Sequence, residues 1–212
     1  MRASYFRVRF VPDRRRKVLW RTLVQYYFAD LIQSDFCVLD LGSGYADFIN
    51  EVKAQRRIAV DIWEELPRQV APGVEAHVGP VTDLSFLPDG AVDLAFASNV
   101  LEHLSTEDCE ATLGQLRRKL STRGRLAILQ PNYRYAYREY FDDYTHIAVY
   151  SHISLADRLR TNGFRIVRCV PRFLPLTLAS RFPVFPVLVR LYLRSPIKPF
   201  AKQMLILAEP TK

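Results

Sequence analysis

The sequence predicts an α/β protein built on a doubly wound, Rossmann-like sheet with helices on both faces. The chain has 212 residues, of which 49% are apolar and 25% charged, so it can bury one full core. Strand-like apolar runs alternate with helix-like segments about seven times along the chain. The runs are continuously apolar, which is typical of parallel strands covered on both faces. This composition excludes a disordered chain and a small disulfide-stabilised protein.

The strands are predicted where short apolar runs end at polar, glycine or proline residues. These runs cover residues 36–41, 57–62, 74–78, 92–97, 125–130, 164–170 and 203–208. The helices are predicted from apolar residues at a spacing of 3–4 and from end signals, with Ser105 or Thr106 as one cap. They cover residues 14–32, 46–55, 64–70, 106–120 and 154–161, and Arg123-Gly124 is taken to end the fourth of them.

Basic residues are concentrated near the two ends of the chain. Residues 1–34 carry eight basic and two acidic side chains, and residues 165–200 carry seven basic and no acidic side chains. Residues 35–164, between them, carry thirteen basic and nineteen acidic side chains. We divide the chain into a basic helical segment, residues 1–34, and a main domain, residues 35–212, with a proline- and arginine-rich apolar insert at 171–200. The basic segments are either solvated faces or contacts to an anionic partner such as phospholipid, a phosphorylated substrate or nucleic acid.

The cysteines and the first residues bear on the compartment. Cys37, Cys109 and Cys169 lie far apart and form no CxxC pair, which fits a reducing compartment and argues against a zinc knuckle. Residues 1–10 lack the apolar core of a signal peptide. We therefore expect a cytoplasmic protein.

Acidic residues follow three successive strands of the predicted sheet. Asp40 ends the first strand and precedes the turn Gly42-Ser43-Gly44, Asp61 ends the second, and Asp83 follows the third. Each acid by itself fits a solvated loop, and a GxG turn by itself fits a purely structural turn. Ligands of such folds bind outside the carboxyl ends of the strands, where these three acids would meet.

The same residues indicate what kind of ligand they bind. A dinucleotide fingerprint needs a third glycine three residues beyond Gly44, but position 47 is Asp, and Asp40 would repel a phosphate. An acid at Asp61 can accept both hydroxyls of a ribose, and Asp83 can accept an exocyclic amine. S-adenosylmethionine combines an ammonium, a sulfonium, a ribose and an adenine, so it fits this pattern.

The motifs VLDLGSGYADF, AVDI and TDLSFLPDGAVDLAFASNVLEHL resemble those of the class I S-adenosylmethionine-dependent methyltransferases, in order and spacing. The resemblance implies a seven-stranded sheet of order 3-2-1-4-5-7-6 with the last strand antiparallel. It also implies cofactor contacts, from the methionine end to the adenine, by Asp40, Gly42, Gly44, Asp61, Ile62, Asp83, Leu84 and Asn99. Two positions depart from the family pattern: Ala46 replaces a usual glycine, and Gly79-Pro80 replaces a usual Gly-Asp.

Candidate catalytic residues lie beyond the cofactor motifs. A hydroxyl acceptor needs a general base, and the candidates are His146, which Asp143 could orient, and His103; either histidine could also be a packing residue. Glu102 and His103 could bind a divalent ion, but two adjacent ligands are too few to predict a metal site. Four tyrosines in residues 133–140 form either a packed lid or a stacking platform for a ring-shaped acceptor.

The insert at 171–200 has no apolar run of the length that a spanning helix needs, about 20 residues. Its part at 188–194 could form a short interfacial helix at the inner face of a membrane, or the insert could be a substrate lid or a dimer contact. Its sequence also resembles a bacterial methyltransferase subgroup linked with cell-surface polysaccharide synthesis.

These observations favour an S-adenosylmethionine-dependent methyltransferase that modifies a small-molecule, glycan or lipid-linked glycan acceptor at oxygen. An RNA methyltransferase or nucleic-acid binder is an alternative supported by the basic segments, although the Asn/Asp-Pro-Pro-Tyr/Phe motif is missing after the fourth strand. A second alternative is a scaffold that binds the cofactor without catalysis.

Overall fold

The computed structural model describes residues 13–176 and 184–211, which contain one seven-stranded sheet. The strands are β1 Cys37–Leu41, β2 Arg56–Asp61, β3 Val74–Val78, β4 Val92–Ser98, β5 Leu120–Pro131, β6 Phe164–Pro175 and β7 Ala201–Pro210. Their order is β3-β2-β1-β4-β5-β7-β6, and β7 is antiparallel to both of its neighbours. The predicted fold class, strand order and antiparallel last strand are confirmed.

Helices pack on both faces of this sheet. They are α1 Arg14–Tyr26, α2 Leu66–Gln69, α3 Thr106–Lys119, α4 Tyr133–Ala136, α5 His152–Thr161 and α6 Pro186–Arg194. The helix starts follow from side-chain caps: Asp13 accepts the Arg15 N–H, and Ser105 accepts the Asp108 N–H. Short 3₁₀ turns at Ala29–Leu31, Ile49–Glu51, Leu101–His103 and Tyr140–Asp142 complete the helical elements of the described chain.

The central strands are buried on both faces because alternate side chains enter two separate cores. In β4, Leu94 and Phe96 belong to the core on the α1 side of the sheet. Ala95 and Ala97 belong to the other core, which α3 and α5 cover. Continuous apolar runs are therefore required in these strands, as the sequence indicated.

The helix predicted over residues 46–55 does not form; only the 3₁₀ turn Ile49–Glu51 lies there. Gly42, Gly44 and Ala46 all have left-handed backbone torsions, which interrupt any helix at its start. The Asn50 side chain instead bonds the chain between β2 and β3, at the Gln69 carbonyl and the Ala71 N–H. The segment is thus a turn that follows β1 and is hydrogen-bonded to the chain between β2 and β3.

Three other boundaries differ from the predictions by five or six residues. The first helix ends at Tyr26, and the rest of residues 14–32 contains only the short turn Ala29–Leu31. Gly124 does not end a helix but lies in β5, where the pairing with β4 is irregular. β6 continues to Pro175, so the first residues of the predicted insert are strand. Predictions that rest on residues 1–12 and 177–183, including Arg181, fall outside the described residues.

The apolar segment beyond β6 contains α6, a nine-residue helix that confirms the short helix predicted over 188–194 and begins two residues earlier. Among the described residues, no helix combines the length and the apolar character needed to span a bilayer.

Candidate active site

A cavity of about 370 Å³ opens at the carboxyl ends of β1, β2 and β4. This is the edge at which ligands bind in open α/β sheets. Among the predicted cofactor residues, those that line it are Asp40, Gly42, Gly44, Asp61, Ile62 and Asn99. The fold therefore brings six residues from three separate sequence segments to one cavity.

The turn after β1 can pass close to β4 only because it contains glycine. Gly42 has a φ of +63°, and a Cβ added there would lie 2.5 Å from the Val100 Cγ2 atom. The Gly42 N–H donates to the Val60 carbonyl at 2.8 Å, which ties the turn to the end of β2. Both the torsion and the close approach exclude a side chain at this position.

The Asp61 carboxylate is held in place by backbone donors. Its two oxygens accept the Gly44 N–H at 2.8 Å and the Trp63 N–H at 2.9 Å. Burial raises the pKa of Asp61, and these hydrogen bonds partly oppose the rise. An ordered carboxylate at the cavity wall is suited to accept hydroxyl hydrogens from a ligand.

Asp40 lies beside Asp61 and is even less exposed to solvent. Burial, with the nearby charges of Asp61 and Asp47, raises the pKa of Asp40 well above its ordinary value. A buried acid of this kind favours a cationic ligand group, because a nearby positive charge stabilises the ionised carboxylate.

Asn99 follows β4 and has a φ of +54°, which asparagine tolerates better than most residues. Its N–H donates to the Leu129 carbonyl at 2.8 Å, and its side-chain oxygen accepts from Gln203 at 3.3 Å. Ala46 also has a left-handed φ, of +57°, at the position where the family resemblance implied glycine. The alanine at position 46 thus adopts the left-handed conformation expected of a glycine in this turn.

Two predicted adenine contacts do not lie at the cavity. Leu84 has no exposed surface and packs inside the α3-side core. Asp83 is exposed, and its carboxylate accepts the Ser85 N–H at 3.0 Å instead of facing the cavity. The preceding residues Pro80, Val81 and Thr82 line the cavity instead.

Helix α1 supplies a wall of the cavity that the sequence did not predict. Arg16 and Trp20 line the cavity; Arg16 pairs with Asp47 at 2.9 Å, and Trp20 packs edge-on against Phe96. The helical period correctly indicated an apolar face on α1. The helical period gave no indication that the polar edge of α1 beside this apolar face would cover a ligand site formed by β1 and β4.

A second cluster, Glu102, His103 and His146, lies at the edge of the cavity and is called the Glu-His-His cluster below. His103 lines the cavity, whereas His146 and Asp143 are not among the residues that do. The Ile147 and Ala148 N–H groups donate to the Glu102 carbonyl at 2.9 and 3.0 Å. These two bonds bring the imidazole rings of His103 and His146 to a centroid distance of 4.8 Å.

Backbone and hydroxyl groups orient both imidazole rings. The Nδ1 atom of His103 lies 3.1 Å from the Thr145 carbonyl oxygen, and Thr145 in turn donates its hydroxyl to Asp143 at 2.6 Å. The Nδ1 atom of His146 lies 2.5 Å from the Tyr140 carbonyl oxygen. Asp143 therefore acts on His103 through Thr145, and its orientation of His146 stays a prediction.

The cluster also contains a buried carboxylate. Glu102 has no exposed surface, and burial raises its pKa to about 8. Burial and the neighbouring His146 lower the pKa of His103. A neutral imidazole at the cavity edge is able to accept a proton or to bind a cation.

The four tyrosines of the chain after β5 differ in burial, and Tyr135 among them is half-buried and stacks on His152. Tyr140 is fully buried and donates its hydroxyl to the Ala148 carbonyl at 2.6 Å, and Tyr133 packs edge-on against it. Tyr137 is exposed, as are the neighbouring Phe141 and Tyr144. The buried Tyr140 ring and the half-buried Tyr133 ring hold this chain segment in place, and the exposed rings form an aromatic surface.

Comparison with known proteins agrees with this architecture. A family model described as Methyltransferase domain matches residues 13–168, well over half of the chain. The chain belongs to this methyltransferase family. The match begins with α1, so the helix that walls the cavity lies within the family's domain.

An uncharacterized protein of Methanocaldococcus jannaschii is 29% identical to this chain over 136 residues. These residues are 64% of this chain and 57% of that protein, so the chain spans little more than half of this relative.

Solved structures share the fold over nearly the full chain. A SAM-dependent methyltransferase from Archaeoglobus fulgidus superposes with a TM-score of 0.68 at 21% identity, covering 97% of each chain. The 1,6-didemethyltoxoflavin-N1-methyltransferase of Burkholderia thailandensis, solved with bound 1,6-didemethyltoxoflavin and S-adenosylhomocysteine, superposes with a TM-score of 0.64 at 18% identity. That comparison covers 99% of this chain and 85% of the other, and at these identities the likeness shows the fold.

Proposed function

We propose that this protein transfers a methyl group from S-adenosylmethionine to a hydroxyl oxygen of a small-molecule or glycan acceptor. The observation that carries the proposal is the pair of buried carboxylates, Asp40 and Asp61, at neighbouring strand ends in one cavity. The Gly44 N–H bond to Asp61 couples the glycine turn to the second carboxylate. A ligand with a cationic head and a ribose satisfies both acids at once.

Each part of the cofactor has a partner in the cavity under this proposal. Asp61 accepts the ribose hydroxyls, and Asp40 with the glycine turn holds the ammonium end of the methionine. Arg16, on α1, supplies the cation that the methionine carboxylate needs. Ile62 and Thr82 take the adenine end, where Thr82 replaces the contact that the sequence assigned to Asp83 and Leu84.

The reaction is an in-line displacement in which the cofactor itself supplies the electrophile. The acceptor oxygen forms the new bond to the methyl carbon, the carbon–sulfur bond breaks, and its electron pair stays on sulfur. Alignment of the three atoms supplies roughly 7–11 kcal/mol of the barrier reduction. The protein must also remove the hydroxyl proton, which is the step that the Glu-His-His cluster serves.

The chain after β5 provides features suited to a ring-shaped acceptor. Tyr137, Phe141 and Tyr144 are exposed and belong to the same segment as His146. Aromatic faces stack on the apolar face of sugar rings as well as on aromatic rings. These side chains therefore support a glycan, lipid-linked glycan or aromatic acceptor beside the cluster.

Three of the described basic residues weaken the nucleic-acid alternative, because their side chains contact other groups of the fold. Arg21 pairs with Glu51, Arg165 pairs with Glu209, and Arg190 lies 4.1 Å from the ring centroid of Tyr26. Charges that are held within the fold contribute less to a continuous basic surface.

Helix α6 supports contact with a membrane surface as part of this proposal. Val187, Leu188 and Leu191 are each about 60% exposed, and the helix carries Arg190 and Arg194 but no acidic residue. An amphipathic helix with this composition binds the interface of an anionic leaflet. A lipid-linked acceptor would be presented to the enzyme at that surface.

Calorimetry and labelled-donor assays test the proposal in two stages. The full chain should bind one S-adenosylhomocysteine, and cell extracts incubated with labelled S-adenosylmethionine should yield a labelled glycan or glycolipid detectable by mass spectrometry. Cofactor binding without transfer to any extract would favour the catalytically idle scaffold. A chain that binds no S-adenosylhomocysteine would overturn the proposal.

A further inference from the structure

The Glu-His-His cluster contains a buried carboxyl group that no other residue of the described chain hydrogen-bonds. Both Glu102 side-chain oxygens are buried and, within the described residues, accept no hydrogen bond from another residue. The residue has no exposed surface. Burying a carboxylate without partners is costly, so natural proteins place a cation or a donor beside it. The side chains beside it in the cluster are the imidazoles of His103 and His146.

Two imidazoles complete a ligand set around this carboxylate. One ligand atom each from Glu102, His103 and His146 lies within 4.8 Å of the others. A tetrahedral ion with bonds of about 2.0–2.1 Å separates its ligands by about 3.3 Å, so small side-chain adjustments would close the set. The three residues are 44 positions apart at the extremes, and the backbone bonds from Ile147 and Ala148 to Glu102 hold them together.

The hydrogen bonds of both rings match those of metal-binding histidines. Metal-ligating histidines usually donate one ring N–H to a carbonyl or carboxylate, and this donation presents the other nitrogen to the ion. His103 meets the Thr145 carbonyl through Nδ1, and His146 meets the Tyr140 carbonyl in the same way. In both rings Nε2 is then the unprotonated nitrogen, which is the form that binds metals.

We propose that Glu102, His103 and His146 bind one divalent metal ion of the zinc class at the edge of the methyl-transfer cavity. Two imidazoles and one carboxylate form a set that binds Zn²⁺ and leaves a fourth position open. Because His103 lines the cavity, an acceptor hydroxyl could occupy that position. The metal-bound hydroxyl would lose its proton to solvent more readily and attack as the bound alkoxide.

The role of this ion in acceptor activation rests on the proposed function, but the binding of the ion does not. The ion would bind the His103 and His146 nitrogens that would otherwise accept the hydroxyl proton. The cluster would then activate the acceptor through the bound metal and not through a histidine general base. Thr145 and Asp143 then serve as positioning residues, since they orient His103 from behind.

Calorimetry tests the site: the full chain is first treated with a chelator to remove metals and is then titrated with Zn²⁺ alone. We expect one ion per chain, and Glu102→Gln should weaken its binding at least about 10-fold, since loss of even an outer partner costs that much. The matched control is His77→Gln, which removes a histidine that stacks on Phe86 in a different part of the fold. This control should bind Zn²⁺ as the unaltered chain does.

Visible absorption of the Co²⁺-loaded chain gives a second readout that reports ligand geometry. The spectrum should change in Glu102→Gln and in His146→Asn and stay the same in His77→Gln. If His146→Asn unfolds, the near-isosteric Glu102→Gln still decides the result. A chain that binds no Zn²⁺, or variants that bind it as tightly as the unaltered chain, would overturn the proposal.

Binding of S-adenosylhomocysteine to the metal-free chain separates this inference from the proposed function. Cofactor binding without Zn²⁺ binding refutes the metal site alone. Zn²⁺ binding without cofactor binding refutes the proposed function and leaves the metal site established.

Discussion

The two ends of the active-site cavity are built in different ways. At the end proposed to bind the cofactor, called the cofactor end below, β1, β2 and β4 place Asp40, Asp61 and Asn99 at strand ends, and the Gly44 and Trp63 N–H groups hold the Asp61 carboxylate. At the acceptor end, the Glu-His-His cluster is assembled from two loops that meet through the Glu102 carbonyl. The cofactor end therefore depends on local backbone geometry, whereas the end proposed to bind the acceptor depends on contacts between distant segments.

Changes at the acceptor end should affect turnover and spare cofactor binding. His103→Ala or His146→Ala should lower turnover by ~10²–10⁴-fold, because activation of the hydroxyl is lost. Steady-state assays on the identified acceptor and calorimetry with S-adenosylhomocysteine measure the two quantities. His77→Ala is the control and should alter neither. An equal loss of affinity and turnover would assign His103 to the cofactor end.

A side chain in the glycine turn should damage the cofactor end most. Gly42→Ala should reduce the free energy of unfolding by about 2–4 kcal/mol, combining left-handed strain and a clash with Val100. Gly90→Ala is the matched control: Gly90 has a φ of +71° but open space around it, so only strain of about 1–2 kcal/mol applies. Urea denaturation compares them, and equal losses would show that the approach to Val100 is relaxed.

Two acids after successive strands should differ in their effect on cofactor affinity. Asp61→Ala should weaken S-adenosylhomocysteine binding by ~1–3 kcal/mol, because the ligand hydroxyls and two backbone donors lose their acceptor. Asp83→Ala should leave the affinity nearly unchanged, since Asp83 does not line the cavity. Calorimetry under identical conditions decides between them. An Asp83 effect as large as that of Asp61 would mean that its loop closes over the adenine.

Asp40→Asn should separate ligand binding from stability. The raised pKa of Asp40 means that the folded chain loses stability as pH rises from its ordinary value of 3.8 through the raised one. The variant lacks this penalty, so near pH 8 its free energy of unfolding should be higher by about 1 kcal/mol, with no gain near pH 4. Its affinity for S-adenosylmethionine should fall. Denaturation at both pH values measures the gain, and a stability loss at pH 8 would contradict it.

The smallest effect on the fold is expected in α6, which lies outside both ends of the cavity. Leu188→Gln combined with Leu191→Gln should change stability by less than about 0.5 kcal/mol, since both side chains are exposed. The variant should nevertheless lose flotation with anionic liposomes. It is a cleaner test than Arg190→Glu, because Arg190 packs over Tyr26. An unaltered chain that does not bind liposomes would discard the membrane contact.

Local signals in the sequence predicted the strands and the glycine turn beside Asp40 and Asp61, whereas cofactor binding by these residues stays a prediction. Buried parallel strands need continuous apolar runs, and a turn such as Gly42-Ser43-Gly44 needs glycine wherever it occurs, so both leave local signals. The resemblance carried by these motifs extended to the strand order, which the structure confirms.

Only the tertiary structure decided which residues share the acceptor end and which helix walls the cavity. Helical period predicted a helix over 46–55, but the left-handed residues at its start, held by bonds to β2, overrode that preference. Leu84 was predicted at the cofactor yet lies in the core, and Arg16 was not predicted there yet lines the cavity. His103 and His146 are brought together by backbone hydrogen bonds between segments about forty residues apart, and no local sequence pattern predicts such bonds.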